Sequence, residues 1–480
     1  MPFRNSFLFH DFLLPLGIFL IGCILAWITQ QWLYCALPIG LYIGLLSIHQ
    51  PTLLYHIFFF SIPLSIPIYL GAASLELPDE GIAILLTLLS PFILYFNGKN
   101  KFPIFLQFPF IIVLISFLWL VLLLFTSHNT ALTLKFLFAK IWYIVPMVVL
   151  TPIFLNRIQD VNSIFKLFTS ATALVLTPIL ALFMMKGFDF AEANTVVEPF
   201  FLNHVAISSF TATSLPLIFY WYQNGSTGIY KPIALYALLL CLIAAISSYT
   251  RITWLALFAL PFLAIVFKSK TFPTFFFLGI ILSCLSIFYL LHHNRYLDFA
   301  PNSEQVIYHE GNLERHLEAT MEFEDISGIE RLYRWIAAKN SIEQHFLFGT
   351  GPNTFYNEYK KYTEEAYRTY VSENPEQSTV HNQFLLVFFE QGCIGFLLFA
   401  GLCLSLLIGT YRLYHSTSLD TFKSLLLALH LCMWMIIFHI SVNDLIETDE
   451  IGFLFYFIIG LFLWCRYQIK KNTHSIIVES

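Results

Sequence analysis

Two arginine sites and a histidine carry the chemistry that this sequence offers. Arg251 sits in "SSYTRITWL", between two apolar runs with only a few polar residues at the turn. A cation so near hydrocarbon is costly unless it snorkels to the interface or meets an anion. Arg251 therefore reads either as an interfacial anchor supported by Trp254 or as a site for an anionic group such as a lipid phosphate. Arg331 lies four residues before Trp335, a spacing that places both on one helix face and allows cation–π stacking. Its planar guanidinium can donate two parallel hydrogen bonds to a diphosphate. Arg334 lies four residues after Glu330, where an ordinary surface ion pair would occupy it, so it ranks below Arg331.

His381 immediately precedes Asn382 and opens an apolar helix. A lone histidine is more often structural than catalytic. At a water–lipid boundary beside arginines, however, imidazole is placed to take a proton near neutral pH. Glu390 follows nine residues later, roughly 13 Å deeper and on the opposite helix face. It reads as buried in the bundle, apart from His381.

Two other motifs are set aside. "GTGPNTF" (Gly349 to Phe355) lacks the lysine and hydroxyl residue of a phosphate loop, so its glycines and Pro352 read as a structural turn. The adjacent Glu324 and Asp325 read as solvated, and no acidic pair in the large loop has metal-ligand spacing. No metal and no cofactor are required.

The elements that must hold these residues are membrane helices. Of 480 residues 58% are hydrophobic and 11% charged, with mean hydropathy +0.72, against roughly a quarter charged in soluble domains. Apolar runs near the ~20 residues that cross a bilayer recur along the whole chain, and they do not alternate as barrel strands would. The fold class expected is an all-α polytopic membrane protein. Its runs are 12–28, 32–48, 53–70, 81–95, 104–125, 136–154, 164–185, 205–222, 232–246, 252–267, 274–291, 382–410, 424–440 and 451–464. The count is twelve to fourteen crossings, because the short third and fourth runs could be re-entrant. Three parts follow: an N-terminal transmembrane bundle over 1–291, a large polar loop with short amphipathic helices over 292–381, and C-terminal transmembrane helices with a tail over 382–480.

Strict alternation from a cytoplasmic N-terminus puts Lys99, Lys101, Arg157, Lys166, Lys231, Lys268, Lys270, Arg412, Lys423, Arg466, Lys470 and Lys471 on one side, as the positive-inside rule requires. The opposite short loops carry acidic stretches, "LELPDEG" and "DLIETDE". Arg251 and the large loop then share the extracytoplasmic face, and both termini are cytoplasmic. The net charge of -5 and the lack of a basic cluster argue against a nucleic-acid partner. All eight cysteines lie in or at the ends of apolar segments, without a CxxC pair. The first apolar run reads as a retained helix, with a signal peptide the lesser alternative.

The "SSYTR" turn, the Arg-x-x-x-Trp element in a long loop, the "GTGPNTF" turn and a helix running from "HNQFL" into "EQGCIG" occur in that order on one membrane face. This combination resembles the O-antigen ligase and polymerase superfamily, most clearly from Tyr230 to Phe399. The resemblance implies a GT-C-like glycosyltransferase that uses an undecaprenyl-diphosphate-linked glycan as donor. It also implies that Arg251, Arg331 and His381 are the functional residues; Arg334 has no clear counterpart in the family, and Arg334 and Trp335 join Arg251 and Arg331 as candidate substrate-binding residues on their position alone. The first expectation is an O-antigen ligase of the bacterial inner membrane, an inverting enzyme passing the glycan to the lipid A core among membrane lipids. A repeat-unit polymerase and a protein O-oligosaccharyltransferase are the alternatives within the superfamily. A lipid-linked glycan flippase is the alternative from another class, but it would more often hold its charges at the bilayer midplane.

Overall fold

The computed structural model describes residues 21, 50–70, 73–96, 107–158, 160–299, 326–369, 372–374 and 377–479. The first two apolar runs lie outside these residues apart from Ile21, as do Lys99, Lys101, Glu324 and Asp325. In chain order the described elements begin with α1 (Pro51–Ser61), a hairpin of β1 (Ile66–Leu70) and β2 (Ala73–Leu77), α2 (Asp79–Phe96), α3 (Phe108–Leu123) and α4 (Thr130–Ile158). They continue with α5 (Asn162–Met185), α6 (His204–Asn224), α7 (Tyr230–Ser247), α8 (Arg251–Lys268) and α9 (Phe272–Leu291). The large loop contributes α10 (Ile326–Gln344), and the chain closes with α11 (Gln383–Ser416), α12 (Asp420–Ile440) and α13 (Asp449–Glu479). The protein is an all-α polytopic membrane protein, and eight of the described helices are long and apolar enough to cross a bilayer.

The first described apolar run differs from its expected form. The stretch 53–70 is not a single span: α1 passes through a short 3-10 turn into an antiparallel hairpin in which Ile66 pairs with Leu77 and Leu70 with Ala73. Pro63 and Pro67 explain this, since proline withholds the amide that a continuing helix needs.

Burial sorts the remaining helices. On α9 every residue from Phe277 through Leu291 is exposed, as a lipid-facing helix should be. α6 is instead packed between α7 and α12, and its buried face is Ala206, Ser208, Ser209, Thr211, Ala212, Thr213 and Ser214. Small side chains let helices approach closely without water between them. The hydroxyls of Ser208, Ser209 and Thr211 donate back to carbonyls one turn earlier, so they are buried without unmet donors.

The large loop is fastened to the bundle through a break in α11. At Gly392 the backbone turns to φ 67° and ψ −173°, and carbonyls that would have bonded along the helix accept from elsewhere. Phe389 O accepts from Thr350 N at 3.0 Å, Glu390 O from Gly351 N at 2.8 Å and Gln391 O from the Trp119 indole at 3.0 Å, while Cys393 N donates to Phe346 O at 2.8 Å. Approach this close excludes side chains: a Cβ on Gly349 would lie 2.4 Å from the Glu390 backbone, and one on Gly392 would lie 2.2 Å from Leu347 O. "GTGPNTF" is thus a docking turn. Above it Tyr333, Ile336, Phe355, Tyr359, Tyr367 and Val380 form a small core continuous with Leu386 and Phe389 of α11.

Candidate active site

α10 sets the position of the segment before α11. Arg334 donates from Nη1 to Thr379 O at 3.1 Å, and the Trp335 indole donates to Val380 O at 2.9 Å. Arg334 is 6% exposed and lies 3.5 Å from the Glu330 carboxylate, so the pair expected at the surface is buried. Glu330 also accepts from Ser372 at 2.7 Å and from Thr369. With two carbonyls held, His381 takes a left-handed backbone with φ 51°, a conformation that costs a non-glycine residue free energy and is often found at functional sites.

The far side of this segment is tied to the membrane helices. Asn382 caps α11 by accepting from Leu385 N at 3.0 Å and donates to Ser441 O at 2.9 Å. Gln383 donates to Glu447 at 3.2 Å, and Glu447 pairs with buried Lys140 of α4 at 2.9 Å. The chain on either side of His381 therefore has fixed partners: α10 before it, the α12–α13 connection and α4 after it. Glu390 is buried, as its spacing implied, and its carboxylate accepts from Phe355 N at 3.1 Å.

A cavity of about 790 Å3 opens at this end of the bundle, and Arg251, Arg331 and His381 all line it. Three separated parts of the sequence meet there: the start of α8, the first turns of α10 and the entry to α11. The rest of the wall includes Phe190, Asn203, His204, Tyr249, Asn443 and Asp444. Arg334 and Trp335 are not among the lining residues and stand behind them. Sequence reasoning missed His204 and counted Asp444 only as a loop charge. The available signal was parity, which puts the α5–α6 and α12–α13 connections on the face that holds Arg251.

The electrostatics suit an anion. Burial, then Arg331 and Arg334, pushes the His381 imidazole down to about 3, so it is neutral with a lone pair to offer. Burial raises the Asp444 carboxyl, opposed by Thr379 and Arg334. The N-termini of α6 and α8 also meet at the cavity, and a helix N-terminus carries partial positive charge. At α6 Asn203 caps Val205 N and Ala206 N, whereas Thr250 makes no side-chain cap at α8. Thr250, Arg251 and Ile252 at the α8 start all line the cavity, so the partial positive charge of that helix end adds to the charge of Arg251.

A polytopic helical membrane protein with a basic, histidine-bearing cavity at one end of its bundle is the class that fold and site define. Residues 236–400 match the family model described as O-antigen ligase, so this segment, about a third of the chain, is similar to the O-antigen ligase superfamily. The matched segment contains Arg251, Arg331 and His381 and ends inside α11. A comparison with curated proteins gives no match.

Proposed function

We propose that this chain is an O-antigen ligase, which moves a polysaccharide from undecaprenyl diphosphate to the lipid A core oligosaccharide at the periplasmic face of the bacterial inner membrane. The observation that carries this reading is the convergence of Arg251, Arg331 and His381 on one cavity, within a segment matching that family. In this reading the bundles over 1–291 and 382–480 hold the isoprenoid, and residues 292–381 cover the reacting sugars.

Breaking the bond from sugar to diphosphate leaves negative charge on the diphosphate. Two guanidinium groups and the α8 N-terminus are placed to stabilise that charge, more strongly in the transition state than in the ground state. His381 accepts the proton from the acceptor hydroxyl as its oxygen attacks the anomeric carbon, so one displacement inverts that carbon. Arg331, which after burial lowers the basicity of His381, is neutralised when a diphosphate lies against it. Donor binding therefore strengthens the base only when there is a substrate to transfer.

The test is deletion of the gene in its host, followed by gels and glycan-specific blots of lipopolysaccharide and of lipid-linked glycan. Long glycan accumulating on the carrier, with bare core on lipid A, supports the ligase. Lipid A bearing a single repeat supports a polymerase instead. Normal patterns in both fractions would overturn lipopolysaccharide as the product.

A further inference from the structure

The cavity has one wall that the transfer chemistry leaves unused. It is built by the connection from α5 to α6 and by Tyr249, and it presents two half-exposed aromatic rings beside a histidine. Phe190 and Tyr249 meet edge to face, with centroids 5.4 Å apart and planes at 87°. Their backbone is specially shaped. Gly187, Phe188 and Tyr249 all take positive φ, and the Tyr249 hydroxyl donates to Phe188 O at 2.5 Å, which ties the α7–α8 turn to this connection.

His204 is oriented as firmly. Asn194 Oδ1 lies 3.1 Å from His204 N and 2.6 Å from His204 Nδ1. The backbone N–H can only donate, so the Asn194 atom must be the oxygen, and an oxygen of an amide can only accept. A ring proton is therefore on Nδ1, and in the neutral imidazole the lone pair is on Nε2. Ser208 of α6 accepts from Thr253 of α8 at 3.0 Å, so the first turns of these helices run side by side. This places His204 at the level of the Tyr249–Arg251 turn, on the diphosphate side of the cavity.

We propose that Phe190, Tyr249 and His204 form a pyranose-binding subsite for the donor sugar attached to the diphosphate. A sugar ring offers an apolar C–H face and a rim of hydroxyls. Half-exposed aromatic rings match the face, and an imidazole with a fixed lone pair accepts from a hydroxyl. The donor, not the acceptor, belongs here because the acceptor hydroxyl must reach His381, whereas this wall adjoins Arg251. This assignment rests on the ligase reading for its substrates and adds which residues read the first sugar.

The full-length protein in nanodiscs tests it by binding two probes: bare undecaprenyl diphosphate, and the glycan-charged carrier extracted from the host. Wild type binds the charged carrier more tightly than the bare one. Phe190→Leu and His204→Ala each shrink that ratio by about fivefold or more, the scale of one lost ring contact or hydrogen bond, while affinity for the bare carrier stays within about twofold. Phe190→Tyr, which keeps the ring and confirms folding, retains the ratio. An unchanged ratio in both variants overturns the subsite, as does an equal loss for both probes. If wild type binds neither probe, the donor assignment itself fails, a result distinct from either of these.

Discussion

Arg331 and Arg334 are three positions apart and do different work. Arg331 lines the cavity, whereas Arg334 is buried against Glu330 and holds the carbonyl of Thr379. Arg251→Ala, Arg331→Ala and His381→Ala are each expected to lower transfer by about a hundredfold or more, with membrane insertion and melting temperature retained. Arg334→Ala should lower the melting temperature, because removing one partner strands a buried carboxylate. Transfer assays paired with thermal unfolding in detergent separate the two, and an unaffected melting temperature in Arg334→Ala would place that residue in the substrate site instead.

His381 gives a signed pH dependence. Its folded pKa of about 3 lies below the roughly 6.5 of an unfolded histidine. The unfolded chain therefore binds a proton that the folded chain refuses, and stability falls as pH drops from about 6.5 toward 3. Replacing His381 by Ala should flatten that part of the stability curve. Activity follows a different limb. With donor bound against Arg331 the imidazole is more basic, so the acid limb of kcat should lie at higher pH than that of kcat/KM. Coincident limbs would show that the donor leaves His381 unchanged.

Among the elements, α11 and the turn docked in it are the most sensitive to a small change. Gly392 and Gly349 both need positive φ and both face backbone within 2.4 Å of a would-be Cβ. Gly392→Ala or Gly349→Ala should cost about 2 kcal/mol or more, and limited proteolysis should then cut the large loop faster than in wild type. This element was only partly legible in the sequence. The glycines and Pro352 announced a turn, and the apolar run announced α11, but nothing local says that the one inserts into a break in the other. The hairpin after α1 was missed for a related reason: hydrophobicity alone does not distinguish a strand from half a helix, and Pro63 and Pro67 were the signal. The pairing of Lys140 with Glu447 joins residues remote in sequence, which one chain without homologues cannot reveal.

For the molecule as a whole, residues that the alternation of apolar runs and charged loops assigns to one face also line one cavity. Arg251, Arg331, His381 and the "DLIETDE" connection were placed on one face by parity, and all contribute to one cavity wall. The aromatic wall stayed hidden because Phe190 and Tyr249 are unremarkable in a chain with 52 phenylalanines and 24 tyrosines. The face itself can be measured. In a protein with its native cysteines replaced, a membrane-impermeant maleimide applied to intact cells with a permeabilised outer membrane should label Ser378→Cys. It should spare Ser269→Cys until the inner membrane is opened. The reverse pattern would invert the topology and put the cavity beside the cytoplasm.

The break in α11 also constrains how the protein is made. Carbonyls at Phe389, Glu390 and Gln391 find partners on the docking turn and on α3, and lipid offers none in their place. As the nascent chain leaves the insertion machinery, α11 thus carries exposed polar backbone until the large loop folds back onto it. Assembly of α11 is therefore complete only once the loop has folded onto it.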